Sequence, residues 1–200
     1  MRWLDKYILF SSVFALFTES FTFHYIIDWK LFYLIVLSNL ILLGTRKKIT
    51  IHSNIIYVFI FFILHGIVFY IWYQNPIKSL LAQLIGIGIS SIYYYNFLKH
   101  YGIKLAYDAY LKLTLILAVL AIFMFYFGIH VFIYNRLNGI LKEPAHYVAI
   151  ALPATYVFFR NKEYLKFALV LLTIFLAKST IGYIGLVLVM ILPLLKLKHL

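Results

Sequence analysis

The residues best suited to chemistry fall close together, in Tyr134-Asn135-Arg136-Leu137-Asn138-Gly139-Ile140-Leu141-Lys142-Glu143-Pro144-Ala145-His146. Arg136 offers a planar guanidinium, which can grip a phosphate through two parallel hydrogen bonds. Glu143 adds a carboxylate, Lys142 a second cation and His146 an imidazole. Together they suit binding of an anionic substrate and transfer of a proton beside it. A plainer account covers part of the same stretch. Asn135, Asn138 and Gly139 are turn residues, Pro144 fits the first position of a helix, and Glu143 complements that helix's dipole. A second segment is Leu176-Ala177-Lys178-Ser179-Thr180-Ile181-Gly182-Tyr183. Lys178 is either a loop lysine reaching lipid phosphates or another cation for the same substrate.

Other polar residues stand alone in apolar surroundings. Glu19, beside Ser20, is a carboxylate at membrane depth: a functional group, or a neutral acid that fixes helix packing. His65 and Gln83 carry the same ambiguity. Lys104, Asp108 and Lys112 recur every four residues and form an ion-paired helix edge. The chain has no cysteine and only 6 Asp+Glu. Thiol chemistry and Cys-based metal sites are therefore excluded, and a carboxylate-built metal site has little material. The histidines lack metal-ligand spacing, and no nucleotide-binding or nucleophile-elbow motif occurs. No metal and no cofactor are expected.

These residues must be positioned by membrane helices. The 200 residues are 65% hydrophobic and 12% charged, with mean hydropathy +0.97. Soluble domains run about 45–50% apolar and about 25% charged, so the composition excludes a water-soluble fold. The apolar runs are continuous rather than alternating, which argues against a β-barrel. The expected fold is all-α: one polytopic transmembrane bundle over residues 1–200 with about eight spans. The spans are placed at Tyr7–Tyr25, Leu31–Leu43, Ile55–Tyr73, Ser79–Phe97, Lys112–His130, Ala145–Phe159, Phe167–Ala177 and Ile181–Leu195. The last two could instead be re-entrant halves. The N-terminal run has no small-residue cleavage site and reads as a retained span.

The net charge of +12 then reads as topology, not as a nucleic-acid surface. With the N-terminus cytoplasmic, Arg2, Lys6, Arg46, Lys47, Lys48, Lys99, Lys104, Lys112, Arg160, Lys162, Lys166, Lys196 and Lys198 all lie inside, and so do both termini. Lys30, Lys78, Arg136, Lys142 and Lys178 remain outside, where topology alone would not put them. Ala82, Gly86 and Ser90 form a small-residue face for close helix contact, as do Gly182 and Gly185. Pro153 and Pro193 could kink their spans. The three tryptophans and many tyrosines suit interfacial belts.

Arg136-x-x-Gly139-x-x-x-Glu143-Pro144 followed by an apolar span resembles the bacterial O-antigen polymerase/ligase family. So does Leu176-Ala177-Lys178-Ser179-Thr180-Ile181-Gly182 at the start of a later span. The resemblance covers Asn135 to Leu188. It implies a multi-pass glycosyltransferase of the bacterial plasma (inner) membrane, acting at its external face on glycans carried by polyprenyl diphosphate. The product would be O-antigen, capsule or exopolysaccharide. Arg136 would hold the diphosphate or nearby glycan, and Glu143 would position a sugar hydroxyl or assist proton transfer. Lys142, His146 and Lys178 would line the same cavity, with Lys178 where many members carry Arg. Family members are longer, with a large external loop in a second half. This chain is therefore expected to be the N-terminal part of such an architecture or a shortened version, inactive if the 200 residues are the whole. Expected partners are the lipid-linked glycan, the bilayer and other polysaccharide-assembly membrane proteins, and no nucleic acid. Two other classes compete. A lipid-linked glycan flippase or other polysaccharide transporter would need polar groups distributed through the spans. A non-catalytic membrane subunit would tolerate alanine at Arg136, Glu143 and Lys178.

Overall fold

The computed structural model describes the chain except Met1, Glu19, Ile26, 74–76, His130, 132–134 and 192–200, and except the side chains of 24–29 and 73–83. Among the described residues the fold is helical, with eight helices and one short hairpin. The chain forms two compact units, Met1–Ala106 and Tyr107–Leu200.

The first unit contains α1 (Trp3–Ala15), β1 (Thr22–Tyr25), β2 (Ile27–Lys30), α2 (Leu31–Gly44), α3 (Ser53–Tyr73) and α4 (Ile77–Tyr101). The expected first span, Tyr7–Tyr25, is corrected here: the helix ends at Ala15. The Thr18 hydroxyl donates to the Ala15 carbonyl at 2.8 Å, and such local side-chain bonds compete with helix continuation. Thr22-Phe23-His24-Tyr25 then follows, a β-branched and aromatic run that favours extended backbone. It pairs antiparallel with Ile27–Lys30, in a register that sets Thr22 opposite Lys30. Aromatic rings suit a membrane interface as well as a strand, so residue type alone does not separate the two.

Buried polar groups join α1, α2 and α4. Asn39, fully buried, donates to the hydroxyls of Ser11 at 2.9 Å and Ser12 at 3.2 Å. The Tyr93 hydroxyl meets Ser12 Oγ, and the Tyr94 hydroxyl donates to the Ser12 carbonyl at 2.9 Å. In an apolar surrounding each of these groups needs a partner, so the network holds the three helices in one register. Gly86 on α4 receives the Tyr33 ring of α2; a Cβ there would lie 2.6 Å from that ring. The expected small-residue face is thus a helix contact at Gly86, while the Ala82 side chain lies outside the described residues.

One end of this unit is basic and tightly tied. Arg46 pairs with Asp5 at 3.6 Å, and the Tyr101 hydroxyl donates to the same carboxylate at 3.2 Å. Burial, and then the Asp5 carboxylate, push the Tyr101 phenol up to about 12, so it remains a donor. Thr50 and Asn96 bond reciprocally: the Thr50 amide donates to Asn96 Oδ1 at 2.9 Å, and Asn96 Nδ2 donates to the Thr50 carbonyl at 2.8 Å. The start of α1, the end of α2 and the end of α4 therefore meet at one end, while Lys30 caps α2 at its other end.

The second unit contains α5 (Ile103–Tyr126) from Tyr107 onward, α6 (Pro144–Arg160), α7 (Tyr164–Ala177) and α8 (Thr180–Ile191). The expected fifth span, Lys112–His130, is corrected to this earlier start and end. Helix propensity continues through Lys104, Asp108 and Lys112, which hydropathy discounts. Alanines 118, 121, 151, 154 and 177 are buried in the core beside Val148, Val170 and Ile174, and small residues of this kind let helix backbones approach. Gly182 and Gly185 serve α8 as expected: a Cβ at 182 would lie 3.0 Å from Val148, and one at 185 would lie 2.3 Å from Leu152. Pro153 lies inside α6, where the Tyr107 hydroxyl donates to its carbonyl at 3.4 Å. Pro193 is outside the described residues.

Among the described residues two helices are long and apolar enough to cross a membrane: Ser53–Trp72, with mean hydropathy 2.4, and Ile103–Tyr126, with 2.1. The side chains of α3 are largely bare. Tyr57, Phe61, Leu64, Ile71 and Trp72 are all exposed. An apolar flank of this extent needs a nonaqueous cover.

Candidate functional site

The candidate site lies at one end of the second unit, where the loop from Asn135 to Glu143 folds down before α6. Its backbone turns at Asn135 (φ 66°) and again at Gly139 (φ 55°). Glycine is required at the second turn on two grounds. An L-residue is strained at that φ, and a Cβ would sit 3.2 Å from the Ala121 Cβ of α5. The two leucines of the loop point inward, with Leu137 and Leu141 each 1% exposed. They anchor the loop on either side of Asn138, and Arg136 and Lys142 directly flank the two anchors.

The main structural link is a backbone bond: the Leu137 amide donates to the Leu176 carbonyl at 3.1 Å. It ties the loop to the end of α7. Arg136 precedes the donor and Lys178 lies two residues past the acceptor. Standard backbone dimensions then put their Cα atoms within roughly 13 Å of each other. Both side chains are exposed, and two long cationic side chains can cross such a gap toward one anion.

Lys178 adopts a left-handed conformation, φ 48° and ψ 45°, as the cap of α7. Its amide donates to the Phe175 carbonyl at 3.1 Å. This position normally favours glycine, and strain held at a candidate site is an observation to be tested functionally. Glu143 caps α6 in extended backbone, but its side chain makes no capping bond. Its carboxylate instead lies 3.9 Å from His146 Nε2, with both side chains about half exposed. That separation is long and solvent-screened, so the pair contributes little to stability, and Glu143 stays accessible to a substrate. Lys142 is exposed beside it. Arg136, Lys142, Glu143, His146 and Lys178 thus all belong to this end of the unit.

Sequence reasoning treats Asn138 only as a turn residue. It is 3% exposed, and its amide nitrogen has no hydrogen-bond partner among the described residues. A buried donor without a partner is costly, which makes Asn138 a further candidate in the site. The available signal is the spacing of Leu137 and Leu141, two apolar residues that flank it in the loop.

His65 stands on α3 between the rings of Phe61 and Phe69, at 6.1 and 6.2 Å. Glu19 and the side chain of Gln83 lie outside the described residues. At the far end of α6, Glu163 pairs with Lys166 near Arg160 and Lys162.

The site is therefore an exposed set of cations and one carboxylate at one end of the unit, on a loop anchored by two buried leucines. No protein-family model, curated protein or solved structure matches the chain.

Proposed function

We propose that the chain is a membrane glycosyltransferase of the O-antigen polymerase/ligase type, acting on polyprenyl-diphosphate-linked glycan at the external face of the bacterial plasma membrane. The observation that supports this reading is the Leu137–Leu176 bond. It joins the two segments on which the family resemblance rests, so Arg136 and Lys178 share one end of a helical unit. In this reading the eight helices supply about eight spans, and the basic end of the first unit faces the cytoplasm.

The reaction breaks the bond between the anomeric carbon and the diphosphate oxygen, and forms one between that carbon and an acceptor hydroxyl oxygen. Arg136 and Lys178 neutralise the departing diphosphate, a role of preorganised cations that strengthens as the bound lipid-linked glycan displaces water from this exposed end. Glu143 orients the acceptor hydroxyl and takes its proton. Lys142 stands between the carboxylate and the diphosphate and limits their repulsion. His146 stands beside Glu143, within reach of the same acceptor.

The test is Arg136→Ala in the producing cell. Loss of one such cation should cost about 10²–10³ in rate. Long-chain polysaccharide should disappear while the protein still inserts, and short lipid-linked units should accumulate. Normal chain length in that strain would count against the enzyme. Accumulation of units on the cytoplasmic face would favour a flippase.

A further inference from the structure

The first unit carries a groove that the proposed reaction does not use. It is an open cavity of about 220 Å³ between α3 and α4, walled by Ile55, Val58 and Phe59 on one side and Ile87, Gly88 and Ser91 on the other. Gly88 creates the space, since a Cβ there would lie 3.0 Å from the Phe59 ring. The lining is almost wholly apolar, with Asn54 at the start of α3 as its other polar member.

The groove leads toward a basic end. Ser91, Tyr95 and Lys99 recur every four residues and share one face of α4. The contacts settle where that face points. His52, just before α3, packs against the Tyr95 ring at 5.7 Å. Lys99 Nζ lies 6.0 Å from the same ring centroid and 3.1 Å from Thr50 Oγ1. The Lys48 carbonyl approaches His100 Nε2 at 3.4 Å, which brings the Arg46-Lys47-Lys48 segment to the same end. An apolar slot thus opens along two helices and ends at a cluster of cations.

We infer that this is a binding site for one anionic phospholipid. An acyl chain fills the α3–α4 groove, and the headgroup phosphate meets Lys99, with Lys48 and His52 beside it. The charge of the rim and the apolarity of the slot together select a molecule that has both parts. The site rests on the membrane reading of α3 and is independent of the chemistry at Arg136, which lies in the other unit.

The test is native mass spectrometry of the full chain purified in detergent, titrated with phosphatidylglycerol or phosphatidylcholine of identical acyl chains. The expected result is a discrete one-lipid species that saturates and favours phosphatidylglycerol. Lys99→Gln should reduce that preference about fivefold, the weight of one basic residue beside an anionic headgroup. Ser91→Phe should fill the groove and weaken both lipids while leaving the preference unchanged. Val58→Phe does the same from the α3 wall, and serves if Ser91→Phe alters the circular dichroism spectrum or elution volume. Graded uptake of many lipids, equal binding of the two, or full binding by both groove-filled variants would each overturn the site. Release of the chain from membranes by alkaline carbonate would instead remove the membrane reading beneath it, and inactivity of the enzyme would leave it untouched.

Discussion

Replacing Lys178 with glycine separates the chemistry of the ammonium from the cost of its backbone. At φ 48° and ψ 45° an L-residue carries about 1–2 kcal/mol of strain that glycine avoids. Glycine also frees the unfolded chain, which offsets about 0.4–1 kcal/mol of that relief. The side chain is exposed, so its removal opens no cavity. The net expectation is a gain of about 0.5–1 kcal/mol, or a rise of roughly 1–4 °C in Tm for a chain of this size. Lys178→Ala removes the same charge but keeps the strained backbone, so its Tm should not rise. Both variants should lose glycan transfer to a similar degree, because both lack the cation. The assay pairs thermal unfolding in detergent with electrophoresis of the polysaccharide product. A glycine variant that transfers as well as the parent would remove Lys178 from the site. One that melts below the alanine variant would refute the left-handed cap.

Gly139→Ala should destabilise the second unit by about 1–2 kcal/mol through backbone strain, read as a lowered Tm. Adding Ala121→Gly relieves the 3.2 Å contact but not the φ, so rescue should be partial, and full rescue would contradict the turn. The chain has no native cysteine, which permits a clean cross-linking test. With Arg136→Cys and Lys178→Cys, a thiol reagent spanning about 13 Å, the backbone bound on that pair, should join the two positions. After proteolysis at an engineered site in the Asn161–Glu163 turn the halves should remain linked, and separated halves would contradict the shared end. Glu143→Gln should slow transfer and flatten its dependence on pH without changing Tm, because the side chain makes no capping bond. An unchanged rate would exclude it as the proton acceptor.

How much of this was legible beforehand depends on what each residue does. Eight helices follow the expected apolar runs in order, with the first and fifth shifted, because continuous apolarity reports helices that satisfy their own backbone polarity; among the described residues two of them are long and apolar enough to cross a membrane. The expected first span runs past Ala15 into Thr22–Tyr25, whose aromatic rings suit a membrane interface and a strand alike. Arg136, Glu143 and Lys178 could be named from residue type and turn chemistry. Span alternation already puts them on one side; the bond that draws their segments together could not be read, since Leu137 and Leu176 are far apart in the chain and the contact leaves no mark on either local pattern. Asn138 was hidden for a related reason. Asparagine in a turn is ordinary, and only burial distinguishes it. Gly139 shows the opposite case: its place in the motif was visible, and the structure supplies the cause, a positive φ beside Ala121.

The most direct measurement is glycan transfer by the purified natural protein in proteoliposomes, supplied with polyprenyl-diphosphate oligosaccharide and no other enzyme. Parent protein should convert it to longer or transferred glycan with release of polyprenyl diphosphate. Arg136→Ala should be slower by about 10²–10³ at equal reconstitution. Equal rates for parent and variant, or no conversion by the parent while the lipid-linked glycan changes leaflet, would contradict the account.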